Sequence, residues 1–196
     1  MDKPYLFLLA TISTGKVLVR MDPSTREVLA KSAIAGAQLD ASLGADVDGL
    51  LAQHAGAETT LRVSQLVGAN GNVARVVTLA GVALNGTTYY RARLLEVSAT
   101  DVIELSGLVD SITYRIAKSA IVATPDGALV ALRRVDASTG ITYPDPAVIT
   151  LSADGSTRVS TPAAGGNAAF GDTSALVTTG EGERLVAMEY IDTRAL

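Results

Sequence analysis

The feature that most constrains this chain is a series of turn signals that separate runs of β-branched and aromatic residues. Asn70-Gly71 and Asn85-Gly86 are dipeptides that readily adopt the positive φ angles of tight hairpins. The runs 73–84 and 87–97 flank the second of these dipeptides, which predicts a long hairpin. Because hairpins join antiparallel strands, we expect a mainly β fold: an antiparallel sandwich or a partly open barrel built from hairpins.

One segment departs from this pattern and has the periodicity of a helix. Apolar residues recur at spacings of three and four across residues 39–55, although two glycines inside the segment each weaken a helix by about 1 kcal/mol relative to Ala. We therefore predict one short helix at about 46–55, capped by Asp46 and ended by Gly56. A strand over 27–34 is predicted before it.

The C-terminal part of the chain has a different composition. Residues 152–183 are rich in Gly, Ser, Thr and Ala, which predicts a long loop or arm around a short strand near 175–178. Residues 1–151 then form the main β domain, and residues 184–196 a C-terminal strand that returns to it. Such a loop gains order most readily against another subunit, and its candidate anchors are Pro162, Phe170 and Leu176.

Composition narrows the class of partner. Hydrophobic residues make up 48% of the 196 residues, which argues against disorder, and charged residues make up only 18%. A surface with so few charges favours contacts with other protein subunits. The net charge of −4 gives no long-range attraction to phosphate backbones or anionic lipid, so neither nucleic acid nor membrane is predicted as a partner.

The apolar run at residues 5–12 has two interpretations, the hydrophobic part of a secretory signal or a strand. The charges of Asp2 and Lys3 before it cancel, and no small-residue cleavage site follows. We therefore predict no signal peptide and a buried strand at the N-terminus.

No residue pattern predicts a catalytic, cofactor or metal site. His54 is the only histidine and Cys is absent, so thiolate chemistry and multi-histidine metal sites are excluded. We interpret His54 as a packed or capping residue near a helix C-terminus. Asp46–Gly49 does not extend to a calcium loop, because Gly44 and Ala55 hold positions that need carboxylates. The prediction is that the protein is not an enzyme, with an enzyme of unrecognised class as the third hypothesis.

One stripe of side chains is a candidate interface. Alternation along the strand 87–97 places three large polar side chains on one face: Tyr89, Arg91 and Arg93. Such a stripe contacts a protein, or stacks on a base or sugar. The plain alternative is a solvated face whose Arg stems cover their neighbours. The acidic net charge favours a protein interface, and a carbohydrate- or other ligand-binding module is the second hypothesis.

A short element recurs in the chain: Asp22-Pro-Ser-Thr25 and Asp136-Ala-Ser-Thr139 each follow an apolar run, and Leu185–Asp192 resembles the second run. The intervals between the copies are unequal, whereas a propeller repeats at a near-constant period. We interpret the recurrence as shared hairpin chemistry, with a small propeller as a minor alternative.

Hairpin-rich patterning, low charge and a glycine-rich tail together resemble the β-rich virion structural proteins of tailed bacteriophages, such as head decoration, tail, neck or baseplate components. The resemblance is one of composition and organisation over the whole chain, and it implies no site residues. It implies a non-catalytic structural or assembly subunit of a homo-oligomer or hetero-assembly, which is the leading hypothesis. The expected location is a virion or a cytoplasmic assembly.

Overall fold

A mainly β fold with one helix runs through the residues that a computed structural model describes, which are 5–136, 138–141, 146–160, 174–179 and 182–187. The elements in chain order are β1 (Leu6–Ile12), β2 (Gly15–Met21), β3 (Val28–Ser32), α1 (Ala33–Gln53), β4 (Glu58–Asn70), β5 (Val73–Leu84), β6 (Thr87–Val97), β7 (Val102–Ile112), β8 (Arg115–Thr124), β9 (Gly127–Val135), β10 (Ala147–Ser152), β11 (Thr157–Ser160), β12 (Ser174–Thr179) and β13 (Gly182–Ala187).

The strands form three antiparallel sheets of three or four strands and one two-stranded hairpin. Sheet A has the order β1-β2-β3, sheet B β4-β5-β6-β7 and sheet C β11-β10-β9-β8, while β12 pairs with β13. Sheets B and C pack face to face, and the described strands close no barrel. The predicted fold class is therefore confirmed, in its sandwich form.

Sheet B lies at the centre because its middle strand β5 has buried apolar side chains on both faces. In β5, Val77 and Leu79 pack against sheet C, whereas Val76 packs towards sheet A and Val82 towards α1. All four are fully buried, and each such side chain contributes about 1.5–3 kcal/mol to folding. Sheet C consequently covers one face of sheet B, and α1 with sheet A covers the other.

The hairpin predicted around Asn85-Gly86 is confirmed. Strands β5 and β6 have the predicted bounds and pair in register from Leu84–Thr87 to Ala74–Val97. Asn85 and Gly86 have φ angles of 51° and 82°, as a two-residue hairpin turn of this type requires.

The helix is longer than predicted, so the predicted helix start at residue 46 is wrong. The strand predicted over 27–34 is present as β3, but it ends at Ser32 because α1 begins at Ala33. Helix α1 begins directly after β3, where the Ser32 side chain accepts a hydrogen bond from the Ala35 backbone N–H at 3.2 Å. Its first turns are held against β2, because Gly36 lies on the Lys16 backbone and Asp40 forms an ion pair with the Lys16 ammonium. This tertiary packing outweighs the weak helix propensity of the segment.

Part of the predicted loop over 152–183 is a strand. Strand β11 pairs with β10 and completes sheet C, so the predicted boundary at residue 151 falls inside a hairpin. Strand β12 matches the short strand expected near 175–178, and β13 overlaps the predicted C-terminal strand but pairs with β12. Residues 161–173 lie outside the described part of the chain.

The two Asp-Ser-Thr elements are the same turn. In each, the Asp backbone N–H donates to the carbonyl five residues later at 2.9 Å, and the Asp carboxylate accepts from the Ser and Thr N–H groups. The fifth turn residue is left-handed in both, with φ 59° at Arg26 and 71° at Gly140. The interpretation as hairpin chemistry is confirmed, and the sheets stack in layers instead of radiating like propeller blades.

Replacing Gly36 by Ala is expected to destabilise the protein by about 2 kcal/mol. A Cβ at this position would lie 1.8 Å from the Lys16 carbonyl oxygen, a backbone atom that cannot move aside. Gly49→Ala is the matched control in the same helix, because nothing lies within 4 Å of its Cβ position, and it should stabilise by about 0.5–1 kcal/mol. Urea unfolding of both variants measures the difference, and equal effects would contradict the close approach of α1 to β2.

Arg26→Gly is expected to stabilise the β2–β3 turn by about 0.5–1 kcal/mol, because a left-handed φ is costly for Arg and free for Gly. Gly140→Ala, at the equivalent position of the second turn, should destabilise by about 1 kcal/mol. Thermal unfolding of the two single variants tests this pair. Shifts of the same sign would show that the two turns are not equivalent.

Candidate functional site

The predicted stripe on β6 is present, but α1 covers it. Tyr89, Arg91 and Arg93 share one face of the strand as alternation predicts, and Tyr90 lies on the opposite face in the core with sheet C. The stripe contacts the C-terminal half of α1, and the side chains of Arg91 and Arg93 are only 33% and 18% exposed. The interpretation as a solvated outer face is therefore wrong, and the stripe is not an open binding surface.

Four ionisable side chains meet between α1 and sheet B, and we call them the Asp46 cluster: Asp46, Arg91, Arg93 and Glu104. Arg93 Nη2 donates a hydrogen bond to Asp46 Oδ1, and Arg91 Nε lies 3.2 Å from the same oxygen. Glu104 on β7 receives the other ends of the two guanidinium groups, at 3.0 Å from Arg93 and 3.6 Å from Arg91. Each carboxylate thus bridges both arginines.

Burial sets the electrostatics of the Asp46 cluster. The Asp46 side chain is only 4% exposed, and this burial raises the pKa of its carboxyl above the ordinary value even though the charges of Arg93 and Arg91 oppose the shift. The ion pairs therefore only partly compensate for desolvation, which is common for buried pairs. Such a cluster fixes how α1 lies on β6 and adds little net stability.

His54 has the structural role that was predicted. It is the C-terminal cap of α1, where its backbone N–H donates to the Leu50 carbonyl at 3.0 Å. Its ring stacks on Tyr89 with a centroid distance of 3.6 Å and an interplanar angle of 16°. Tyr89 and His54 thus fasten the end of the helix to β6.

A polar cleft opens beside the Asp46 cluster, between α1 and the ends of β6 and β7. Its wall includes Gln38, Ser42, Arg93, Asp101 and Glu104. These groups offer hydrogen bonds to a small polar molecule, but Arg93 and Glu104 are already paired with each other. Among the described residues, no group of three or more His, Asp or Glu side chains has the geometry of a metal site.

A second candidate surface is the side of sheet A that faces away from sheet B, which we call the outer face. Cross-strand register places Leu6 with Met21, Leu8 with Val19 and Ala10 with Val17 on this face. Lys31 is the only ionic side chain at an outward position of β1–β3. Five large apolar side chains there are 44–50% exposed: Leu6, Leu8, Ile12, Val28 and Leu29.

Sequence reasoning missed the outer face because it predicted a buried strand at the N-terminus. That prediction is correct for Phe7, which is 8% exposed, and wrong for Leu6, Leu8 and Ile12. The available signal was the continuous apolar run of β1, since strands of this kind are covered on both faces. On the outer face the five large apolar side chains are 44–50% exposed, whereas Val19 on the central strand is only 9% exposed.

The remaining predicted anchors are not brought to the outer face by any described contact. Pro162 and Phe170 lie outside the described residues. Leu176 lies in β12, where its backbone is opposite Leu185 of β13.

Comparisons with known proteins assign no family, since no protein-family model, curated protein or solved structure matches the chain. The resemblance to virion proteins therefore stays a prediction. Within the described residues, no helix is long and apolar enough to cross a membrane.

Asp46→Asn is expected to become more stable relative to the wild type as the pH rises from below 3.8 towards neutrality. The folded wild type holds the Asp46 proton more tightly than the unfolded chain does, so its free energy of unfolding falls across this range. Asn removes that contribution. Urea unfolding at several pH values gives the difference.

Asp154→Asn is the control of opposite sign. Hydrogen bonds from the Ser156 side chain and backbone lower the pKa of Asp154. The free energy of unfolding of the wild type should therefore rise relative to that of this variant as pH rises through the acid range. If Asp46→Asn behaved like Asp154→Asn, the arginines would outweigh burial at Asp46.

Proposed function

We propose that this protein is a non-catalytic structural subunit of a larger protein assembly, and that the outer face of sheet A is the surface through which it assembles. The single observation that carries the proposal is the row of half-exposed Leu, Ile and Val side chains on that face. Lying on one face of the same sheet, they form an apolar patch on the order of a few hundred Å², and the largest such patch on a protein is often a functional surface.

The shape and charge of the outer face favour a protein partner. Small-molecule sites are concave and carry a few convergent polar groups, whereas this face is one side of a three-stranded sheet with Lys31 as its single ionic side chain. Adsorption to anionic lipid needs basic residues around the apolar patch, and the chain has a net charge of −4. Neither lipid nor nucleic acid is proposed as a partner.

The observation that motivated the ligand-binding hypothesis does not hold. It depended on an exposed stripe of Tyr89, Arg91 and Arg93, and these side chains pack on α1 through His54 and Asp46. An assembly role uses a different surface, so it does not depend on the stripe. The organisation of the sequence resembles that of virion components of tailed bacteriophages, so a virion is the kind of assembly we propose.

Leu8→Glu is expected to release the protein from its assembly. Leu8 is 49% exposed on edge strand β1, and a carboxylate there would be buried without a partner in any interface on the outer face. Gradient sedimentation of an extract from the native source, with detection by antibody, should place the wild type far above the monomer position and Leu8→Glu at it.

Val109→Glu is the matched control, because Val109 is 54% exposed on β7, an edge strand of sheet B. It should sediment with the wild type. A wild-type chain at the monomer position in this extract would overturn the proposed function.

A further inference from the structure

We infer that the outer face of sheet A binds a second copy of this chain. The inference rests on the proposed assembly role and names the partner that occupies the surface. It is carried by the area of the face, by the distribution of its charge and by the alternation of apolar side chains along β1.

The area of the face suits a self-complementary contact. Five large apolar residues of the outer face are 44–50% exposed in each copy, so two outer faces in contact would bury an area on the order of the 1,000 Å² that a specific interface needs. This is near the lower limit of specific interfaces. A smaller apolar partner would leave part of the face uncovered, whereas an identical face covers all of it.

Charge does not oppose this contact. Lys31 lies on β3, at one margin of the face, and the central strand β2 contributes only Val17, Val19 and Met21 outwards. A two-fold axis that lies between the two faces and runs parallel to β2 would place β1 of one copy over β3 of the other. The two Lys31 side chains then lie at opposite margins, where each ammonium stays in contact with water.

Sheet packing of this kind repeats what the fold already does. Sheet B is covered by sheet C through apolar side chains that alternate along each strand, and two sheets in a sandwich lie about 10 Å apart. Leu6, Leu8, Ala10 and Ile12 alternate along β1 in the same way. A second copy would therefore give sheet A the cover that sheet C gives sheet B.

The test is sedimentation velocity on the purified full chain, diluted from about 200 µM to about 1 µM, the range expected for an interface of this size. The wild type should convert from dimer to monomer on dilution. Leu8→Glu should raise the dimer dissociation constant by at least about 100-fold, because each copy would bury an unpaired carboxylate, while Val109→Glu should leave it within about threefold of the wild type.

Circular dichroism establishes whether each variant is folded. If Leu8→Glu fails to fold, Leu29→Glu gives the same test from β3, since Leu29 is 44% exposed on the same face. A dimer that resists both outer-face variants would overturn this surface and leave the assembly role standing.

A wild type that stays monomeric at every concentration would overturn the second copy as occupant. If that monomer still sediments in a large particle in the native extract, the partner is a different protein. If it is monomeric there as well, the proposed function fails too.

Discussion

The structure depends on the need to bury both faces of sheet B. Strand β5 carries buried apolar side chains on each side, so no two-layer arrangement can cover it. Sheet C takes one face, and α1 with sheet A takes the other. The order of layers follows directly, and so does its consequence: sheet A is an outermost layer, and five large apolar side chains on its second face are 44–50% exposed.

Charge is used inside this arrangement to position the helix. Asp46 reaches Arg91 and Arg93 at one part of the α1 contact, and Asp40 pairs with Lys16 at another. Buried ion pairs give up much of their Coulomb energy to desolvation, which is why the pKa of Asp46 rises despite two neighbouring guanidinium groups. Their contribution is geometric, since each guanidinium meets its carboxylate in only one placement of α1.

The cost of exposing apolar side chains to water applies to both the core and the proposed assembly surface. Phe7, Leu9 and Leu18 turn one side of sheet A into part of the core, while Leu6, Leu8 and Ile12 make the other side nearly as apolar. Apolar surface of this extent is costly to leave in water. The outer face carries Lys31 as its single ionic side chain, and the proposed assembly role rests on this apolar surface.

The sequence alone determined the features that depend on neighbouring residues. Asn85-Gly86 set the β5–β6 hairpin, alternation placed Tyr89 with Arg91 and Arg93, and Asp22 and Asp136 set equivalent turns. Only the tertiary structure decided where α1 begins and which strand faces are covered. Gly36 meets the Lys16 backbone, and the stripe on β6 meets α1, through contacts between distant segments. Turn and strand geometry follow from local φ/ψ preferences, whereas coverage follows from how the whole chain buries its apolar surface, which no short window of sequence contains.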